Sequence, residues 1–294
     1  MTEVKKVECI RCKASHPETL YSGDDRLCVY CKAQIAEQGP LPTVPEPEPT
    51  KEETLEEKAR AELALRFLTR KRLLPFVERF NPDYSAGWVH KDICKRLEEF
   101  SRDVTEKKSP RLMLFMPPRH GKSTLASVAF PAWHLGRNPE HEFISCSYSG
   151  SLAMGFSRKV RGLLREEGYK SAFKTRLDPH SQSAEAWLTT AGGGYVAAGV
   201  GGGITGKGAH ILVIDDPVKN RDDAESSNAR DSAWDWYTST AYTRLAPGGG
   251  VLVILTRWHD DDLAGRLLKA TAEGGDEWEV VRYPALAEEE EEFR

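Results

Sequence analysis

The sequence predicts an α/β protein with a mostly parallel sheet and helices on both faces. After Pro110, short apolar runs alternate with stretches of helical spacing, which is typical of such a sheet. The apolar runs predict strands at 111–116, 142–148, 210–214, 250–256 and 278–283. The stretches between them predict helices at 122–136, 151–168, 226–244 and 260–272. Two motifs at strand ends agree with this arrangement, because parallel sheets bind ligands beyond the carboxyl ends of their strands.

Composition bounds the class of protein. A hydrophobic content of 39% with 29% charged residues predicts a soluble globular chain of 294 residues. The formal net charge of −4 excludes a uniformly basic surface but allows a local basic stripe. The apolar runs are too short to cross a bilayer and the N terminus lacks a secretory signal, so no membrane partner is expected. In a reducing compartment, six cysteines favour metal ligation over disulfides.

Residues 1–36 predict a small zinc module. Two Cys-x-x-Cys pairs stand fifteen residues apart, a spacing typical of a four-thiolate tetrahedral site. The candidate ligands are Cys9, Cys12, Cys28 and Cys31. Such a short module cannot bury enough surface to fold alone, whereas zinc supplies about 10–16 kcal/mol in finger peptides. Redox cysteines or a disulfide pair are the alternative. Cys94 and Cys146 stand alone and are expected to be buried.

A linker and a helical lead-in separate this module from the core. Residues 37–53 alternate proline with glutamate, which predicts an extended spacer. Within the lead-in at 54–109, apolar spacing predicts helices from Thr54 to Leu74 and from His90 to Phe100. The core is expected at 110–294.

The turn after the first apolar run predicts a phosphate-binding loop. Gly121-Lys122-Ser123 match the end of the pattern G-x-x-x-x-G-K-[ST], although Met116 occupies the position of its first glycine. The triplet stands where a predicted helix begins, and free N–H groups at a helix start bind anions. Lys122 would contact the β- and γ-phosphates of a nucleotide, and the Ser123 hydroxyl would bind Mg²⁺.

Prolines are expected to shape this loop in place of the missing glycine. Pro117 and Pro118 would constrain the backbone without the left-handed conformation that glycine favours, and Arg119 adds a positive charge. The candidate nucleotide contacts are Pro118, Arg119, His120, Gly121, Lys122, Ser123 and Thr124.

A pair of acids follows the third apolar run. Asp215 would hold Mg²⁺ through its water shell, and Asp216 would orient or deprotonate the attacking water. Two acids after a strand are a weak signal alone, since turns also carry them. Together with the loop they predict an ATP site, because both motifs follow strands of one parallel sheet.

Two further segments have both a functional and an ordinary interpretation. Thr256 ends the fourth run. In the functional interpretation it lies beside the γ-phosphate and senses hydrolysis, and Arg257 carries the signal outward. In the ordinary interpretation the segment is a strand-to-helix turn, with one of Asp260–Asp262 capping the next helix. Lys207 lies in a glycine-rich run, which suits either a cation reaching a neighbouring subunit's ATP or a disordered loop. The basic residues of 151–168 suit phosphate contacts or a solvated face.

These motifs together resemble the ATPase domain of the large terminase subunit of tailed double-stranded-DNA bacteriophages. The matching segments are PPRHGKS (117–123), YSGSLA…FSRKVR (148–161), GGGITGKGAHILVIDDPVK (201–219) and LTRWHDDDLAGRLL (255–268). The resemblance spans roughly 75–285 and implies a P-loop NTPase fold of the ASCE/RecA-like class. A loop without its first glycine but with an arginine is a feature of that family.

The resemblance implies an ATP-driven motor that pumps double-stranded DNA into a procapsid in the host cytoplasm. It implies ATP and Mg²⁺ as cofactors beside the predicted Zn²⁺, and as partners DNA, the portal protein, the small terminase subunit and further copies in a ring. It assigns catalytic roles to Asp216, Arg119, Thr256 and, acting on a neighbouring subunit, Lys207, with Asp216 standing where glutamate is more usual. Adenine contacts in the family come from upstream of the loop, where Tyr84, Trp88 and His90 are candidates.

The chain departs from the family pattern in two ways. No room follows Leu286 for the metal-dependent nuclease domain that large terminases usually carry, so we expect that domain to be absent from this chain. The zinc module is an addition whose role would be DNA grip, small-terminase contact, portal contact or stabilisation. Two other functions remain open: another P-loop translocase such as a helicase, and a zinc-dependent nucleic-acid-binding adaptor with a vestigial ATP site.

Overall fold

The computed structural model describes residues 6–8, 15–17, 32 and 54–285 and divides the chain into two units, Met1–Thr54 and Leu55–Arg294. In the first unit, strands β1 (Lys6–Glu8) and β2 (Ser15–Pro17) pair in antiparallel fashion. The four predicted zinc ligands and the predicted linker at 37–53 lie outside the described residues. The zinc site and the domain boundaries therefore stay predictions.

Three helices precede the sheet: α1 (Leu55–Lys71), α2 (Leu73–Phe80) and α3 (Trp88–Thr105). The single helix predicted from Thr54 to Leu74 is wrong, because the chain breaks at Arg72, which has φ −131° and ψ 139°. Pro75 explains the break. A proline inside a continuous helix loses a backbone hydrogen bond and clashes with the preceding turn, whereas in the first turn of α2 it costs little.

The second unit is built around an eight-stranded sheet. Its strands are β3 (Arg111–Phe115), β4 (Glu142–Ser147), β5 (Leu177–Gln182), β6 (Ala186–Thr189), β7 (Gly194–Gly199), β8 (Ala209–Asp215), β9 (Leu245–Leu255) and β10 (Glu279–Arg282). The order is β10-β3-β9-β8-β4-β7-β6-β5, and every pairing from β10 to β7 is parallel. All five predicted strands are present, and the mostly parallel sheet fits a RecA-like fold.

Strands β5, β6 and β7 were not predicted, and they form the antiparallel edge of the sheet. Strand β5 is polar, and the apolar stretches of β6 and β7, which contain Trp187 and Tyr195, are short and lie next to glycine, alanine or threonine, so these strands lack the long apolar runs that mark the others. Gly193 shows what the tight β6–β7 turn requires. A Cβ atom there would lie 2.3 Å from the backbone oxygen of His141 and 2.4 Å from that of Pro139, so only glycine fits.

Helices cover both faces of the sheet, as predicted. They are α4 (Phe130–Arg137), α5 (Gly150–Arg165), α6 (Glu167–Ala172), α7 (Arg221–Glu225), α8 (Ser227–Trp236) and α9 (Leu263–Ala272). A π-helical segment (Thr124–Ala129) leads into α4, and the predicted helix 226–244 is split into α8 and two short irregular turns. Separate apolar clusters fill the two faces, one around Trp133 and Phe143 and one around Ile214 and Trp236.

Two single-residue expectations can be checked in this unit. Cys94 and Cys146 are buried, with 2% and 0% of their surfaces exposed, as predicted.

None of the helices in the described ranges is long and apolar enough to cross a membrane.

Candidate functional site

Strand order brings the sequence motifs to one edge of the sheet. Strand β9 lies between β3 and β8, and the register pairs Phe115 with Leu255 and Asp215 with Ile254. Because the three strands are parallel, their carboxyl ends meet at the same edge. The loop after β3, the acids at the end of β8 and Thr256 after β9 are therefore neighbours.

Lys122 is the centre of a hydrogen-bonded network at this edge. Its side chain is nearly buried, and its Nζ lies 2.8 Å from Oδ2 of Asp216 and 2.5 Å from Oγ1 of Thr256. The backbone N–H of Thr256 donates to Oδ1 of Asp216 at 2.9 Å, and its hydroxyl donates to the backbone oxygen of Met116 at 3.2 Å. Three predicted site residues from three elements thus contact one another directly.

The loop backbone differs from the expected one. Arg119 and Gly121 both adopt left-handed conformations, with φ of 65° and 79°. The expectation that Pro117 and Pro118 shape the loop without that region is wrong, because the turn into the helix at Lys122 requires it twice. Asp216 is also left-handed, with φ of 45°. Non-glycine residues in this region are strained by roughly 1–2 kcal/mol and cluster at functional sites.

The other predicted loop residues surround this turn. Pro118, Arg119, His120 and Thr124 are exposed, whereas Ser123 is half-buried. His120 folds back on the turn, with its Nδ1 2.9 Å from the backbone oxygen of Pro118.

Asp215 is the buried acid of the pair, with 1% of its surface exposed. The Ser127 hydroxyl donates to its Oδ2 at 2.6 Å, while Oδ1 has no hydrogen-bond partner in the described part of the chain. Burial raises the pKa of Asp215 from 3.8 to about 6, and the negative charge of Asp216 raises it further. Hydrogen bonds from the hydroxyls of Ser127 and Ser123 lower the pKa and so limit the rise. Ser127 was not predicted, although it lies one helical turn after Ser123.

These residues fit a divalent cation of the Mg²⁺ type. Such ions take oxygen ligands and usually bind through one or two carboxylates. Asp215 offers a buried carboxylate oxygen without a partner, and the Ser123 hydroxyl lies nearby. Among the described residues there is no group of three or more His, Cys, Asp or Glu side chains that could hold a metal, here or elsewhere.

Replacing Asp215 is expected to stabilise the metal-free protein. Since its folded-state pKa of about 6 lies above the ordinary 3.8, the charged carboxylate costs stability as the pH rises through this range. The cost is about 3 kcal/mol at neutral pH, so Asp215→Asn should raise the melting temperature by roughly 5–10 °C. Thermal unfolding without Mg²⁺ measures this, and the difference should vanish below about pH 4.

Asp223→Asn is the matched control, because Asp223 is exposed and should show no comparable rise. A melting temperature for Asp215→Asn below that of the natural protein at neutral pH would contradict the assigned cost of burial.

Tyr84 and His90 lie next to the phosphate loop at Gly121. A Cβ atom at Gly121 would lie 3.7 Å from both the Tyr84 hydroxyl and Nε2 of His90. The backbone N–H of Gly87 donates to Nδ1 of His90, so Nε2 carries the proton and donates to the backbone oxygen of His120 at 3.2 Å. The Tyr84 hydroxyl is buried, which raises its pKa to about 12.

Trp88 is the first residue of α3, two positions before His90. Its ring faces that of Tyr283, with 6.2 Å between centroids. The role of the three candidates toward a base stays a prediction.

Lys207 is not brought to the site of its own chain. The loop of residues 200–208 runs from the carboxyl end of β7 to the start of β8, anchored by the buried Ile204. Lys207 is exposed near the start of β8, at the sheet edge opposite Asp215. A role in hydrolysis would therefore require a second subunit, as the prediction had it.

Arg257 links Thr256 to helix α9. Its Nε donates to Oδ2 of Asp262 at 2.6 Å, and Oδ1 of Asp262 accepts from the N–H of Gly265 at 2.8 Å. Asp262 thus caps α9 as the sequence indicated, and it is nearly buried. The turn is both an ordinary helix cap and a direct connection from the site to a surface helix.

Comparison with known proteins shows the family of the chain. The family model described as terminase large subunit, T4likevirus-type, N-terminal matches residues 113–294. A comparison with curated proteins finds no match. The matched region contains the loop, both acids and Thr256, and it covers more than half of the chain. The chain therefore belongs to the T4likevirus-type terminase large subunits and matches their N-terminal region.

Proposed function

We propose that this protein is the Mg²⁺-dependent ATPase motor of a phage DNA-packaging terminase, driving double-stranded DNA into a procapsid. The observation that carries the proposal is the convergence of Lys122, Asp216 and Thr256 beside the buried Asp215. Membership of the terminase large subunits supports the packaging role. The same edge of the sheet is where parallel α/β proteins bind nucleotides.

Each residue has a chemical task in this proposal. The open N–H groups at the helix start and the Lys122 ammonium bind the phosphates, and Arg119 adds charge at the rim of the loop. Ser123 and Asp215 hold Mg²⁺, which neutralises charge on the phosphates. Phosphate competes with Asp216 for Lys122, and an Asp216 released from that pair can orient the attacking water. Thr256 touches both partners and therefore responds to the exchange.

In this proposal, helix α9 connects ATP hydrolysis at the site to movement of the surface helices. Arg257 joins the Thr256 turn to Asp262 at the start of that helix. Farther along α9, Arg266 pairs with Asp261 and with Asp231 of α8, each at 2.7 Å. A shift of Thr256 on hydrolysis would therefore reach two surface helices through charged contacts.

Helix α5 carries a surface suited to DNA. Its cations Arg158, Lys159, Arg161 and Arg165 form no ion pair with a carboxylate among the described residues, although Arg161 and Arg165 donate hydrogen bonds to the backbone and side-chain oxygens of Gln182. Burial lowers the pKa of Arg161, and its neighbours Arg165 and Arg158 lower it further. Unpaired cations of this kind bind phosphate backbones without reading sequence. Contacts with the portal, the small terminase subunit and further copies in a ring, with Lys207 acting between them, belong to the same proposal.

The test is ATP hydrolysis by the whole chain with and without blunt duplex DNA. We expect Mg²⁺-dependent turnover that duplex DNA stimulates several-fold without strand separation, because a packaging motor moves intact duplex. Single-stranded DNA of equal length is the control substrate. Unwinding of the duplex would indicate a helicase, and absence of turnover at high protein concentration with DNA would favour an adaptor with a vestigial site.

The N-terminal module is proposed to bind zinc through Cys9, Cys12, Cys28 and Cys31. Metal analysis of protein purified under reducing conditions should find about one zinc per chain. Cys28→Ser should lose the metal, whereas Cys94→Ala, which changes a buried cysteine of α3, should keep it. Protein without zinc after such a purification would contradict the proposal.

A further inference from the structure

Ser127 is a fully buried polar residue of the π-helical segment Thr124–Ala129, with 0% of its surface exposed. Most of its neighbours in this segment are apolar and pack into the core. A hydroxyl in such surroundings costs free energy unless it is hydrogen-bonded. Its partner is Asp215, whose Oδ2 accepts from the Ser127 hydroxyl at 2.6 Å. The segment therefore places a single buried donor against the candidate metal ligand.

The helix is irregular at the place where it carries this donor. The N–H of Phe130 donates to the backbone oxygen of Leu125, five residues earlier, which is the bond of a π-helix. The irregular segment begins directly after Ser123, the candidate metal hydroxyl, and contains Ser127. Single π-helical turns inside α-helices are frequent at functional sites. One short segment thus follows one group of the site and supplies another.

The Ser127 bond makes the two oxygens of Asp215 unequal. Oδ2 is held by the hydroxyl, whereas Oδ1 is buried and has no hydrogen-bond partner among the residues that the structure describes. Carboxylates that bind metals are themselves held by hydrogen bonds from neighbouring residues, which fix their orientation. The bond from Ser127 leaves Oδ1 as the oxygen that an ion can use.

A second buried hydroxyl shows why the carboxylate has to be held. Ser147 of β4 pairs with Asp215 in the register of the sheet, and its side chain is fully buried. Its hydroxyl has no partner in the described part of the chain. Paired residues of neighbouring strands point to the same face of a sheet. An Asp215 side chain released by Ser127 can therefore turn toward Ser147 and use its free oxygen there.

We propose that Ser127 is a positioning residue of the Mg²⁺ site, whose hydroxyl holds Oδ2 of Asp215 so that Oδ1 stays available to the ion. The proposal rests on the proposed function, because it takes Asp215 as a metal ligand. Ser127 itself contacts neither the ion nor the nucleotide and acts only through Asp215. Removing such a partner of a metal ligand typically lowers metal affinity about 10–100-fold.

Binding of Mn²⁺ to the whole chain saturated with ADP tests this role without hydrolysis. Electron paramagnetic resonance distinguishes free from bound Mn²⁺. We expect Ser127→Ala to bind Mn²⁺ at least about tenfold more weakly, while its affinity for ADP in EDTA stays within about twofold of the natural protein. Ser127→Thr keeps the hydroxyl, so its Mn²⁺ affinity should stay within about threefold.

Ser101→Ala is the matched control. Ser101 is an equally buried serine of α3, and its hydroxyl lies 2.8 Å from Nδ1 of His134 rather than beside an acid of the site. Its replacement should change neither Mn²⁺ nor ADP affinity. A loss of Mn²⁺ affinity in Ser101→Ala as large as in Ser127→Ala would overturn the proposal, because any buried serine would then have the same effect.

Hydrolysis gives a second measurement. In Ser127→Ala, the Mg²⁺ concentration for half-maximal rate should rise about tenfold, whereas the rate at saturating Mg²⁺ should stay within about fivefold. A fall in the saturating rate with an unchanged Mg²⁺ requirement would contradict a role in positioning the metal ligand.

The remaining outcomes separate this role from the proposed function. Natural Mn²⁺ affinity in Ser127→Ala, an equal loss of metal-free ADP affinity, or equally weak Mn²⁺ binding by Ser127→Thr would overturn the positioning role alone. If the natural protein binds no ADP, the proposed function fails, and the role of Ser127 fails with it.

Discussion

Lys122→Ala is expected to lower the rate of ATP hydrolysis at least about 100-fold, which is the usual cost of removing one preorganised charge from a reacting group. The side chain is nearly buried at the start of the helix, and its ammonium is the cation that Asp216 contacts at 2.8 Å. Alanine removes the positive charge that would bind the phosphates and leaves two neighbouring carboxylates without it. Phosphate release at saturating Mg²⁺ and ATP measures the effect, with nucleotide affinity measured in parallel.

Lys174→Ala is the matched control for this variant. Lys174 is exposed and far along the chain from the loop, so its loss should leave hydrolysis unchanged. Equal rates for the natural protein and Lys122→Ala would refute a role for the loop in hydrolysis.

Asp216→Asn should abolish most hydrolysis while leaving binding nearly intact. The amide keeps the size of the side chain and can still accept from the Thr256 N–H, but it cannot orient or deprotonate water as a carboxylate does. Loss of such a group typically costs about 10²–10⁴ in rate. Single-turnover hydrolysis and equilibrium binding of Mg²⁺·ATP separate the two effects, and binding should stay within a few-fold.

Two comparisons sharpen the Asp216 experiment. Asp223→Asn removes an exposed carboxylate on α7 and should hydrolyse ATP at the natural rate. Asp216→Glu restores the carboxylate on a side chain one methylene longer and should recover part of the activity. Loss of Mg²⁺·ATP binding in Asp216→Asn would mean that Asp216 is a metal ligand.

Much of the sheet and the site could be predicted because their signals are local. Strands β3, β4, β8, β9 and β10 are apolar runs, and buried parallel strands need such runs. The loop, the acids and Thr256 each follow one of these runs directly. Once the sheet is parallel, its topology places their side chains at one edge, which is why Lys122 meets Asp216.

The failures have equally specific causes. Strands β5 to β7 have short or polar sequences without a long apolar run, and their pairing depends on their neighbours in space. The break at Arg72 follows from Pro75, which lies just beyond the stretch 54–74 whose apolar spacing predicted a single helix. Ser127 was missed because a serine inside a helix is ordinary until the tertiary structure puts a buried carboxylate 2.6 Å away.

The sequence by itself determined which chemical groups are present and which strand each one follows, because apolar runs and turn residues act over a few neighbouring positions. Only the tertiary structure decided the strand order, and that order sets every long-range contact. In this order β9 lies between β3 and β8, and Asp215 is buried enough to raise its pKa to about 6. Lys207 lies at the opposite edge of the sheet, and a cavity lies beside β10. These properties depend on contacts between residues far apart in the chain and on how deeply those contacts bury each side chain. Local sequence patterns contain no information about either.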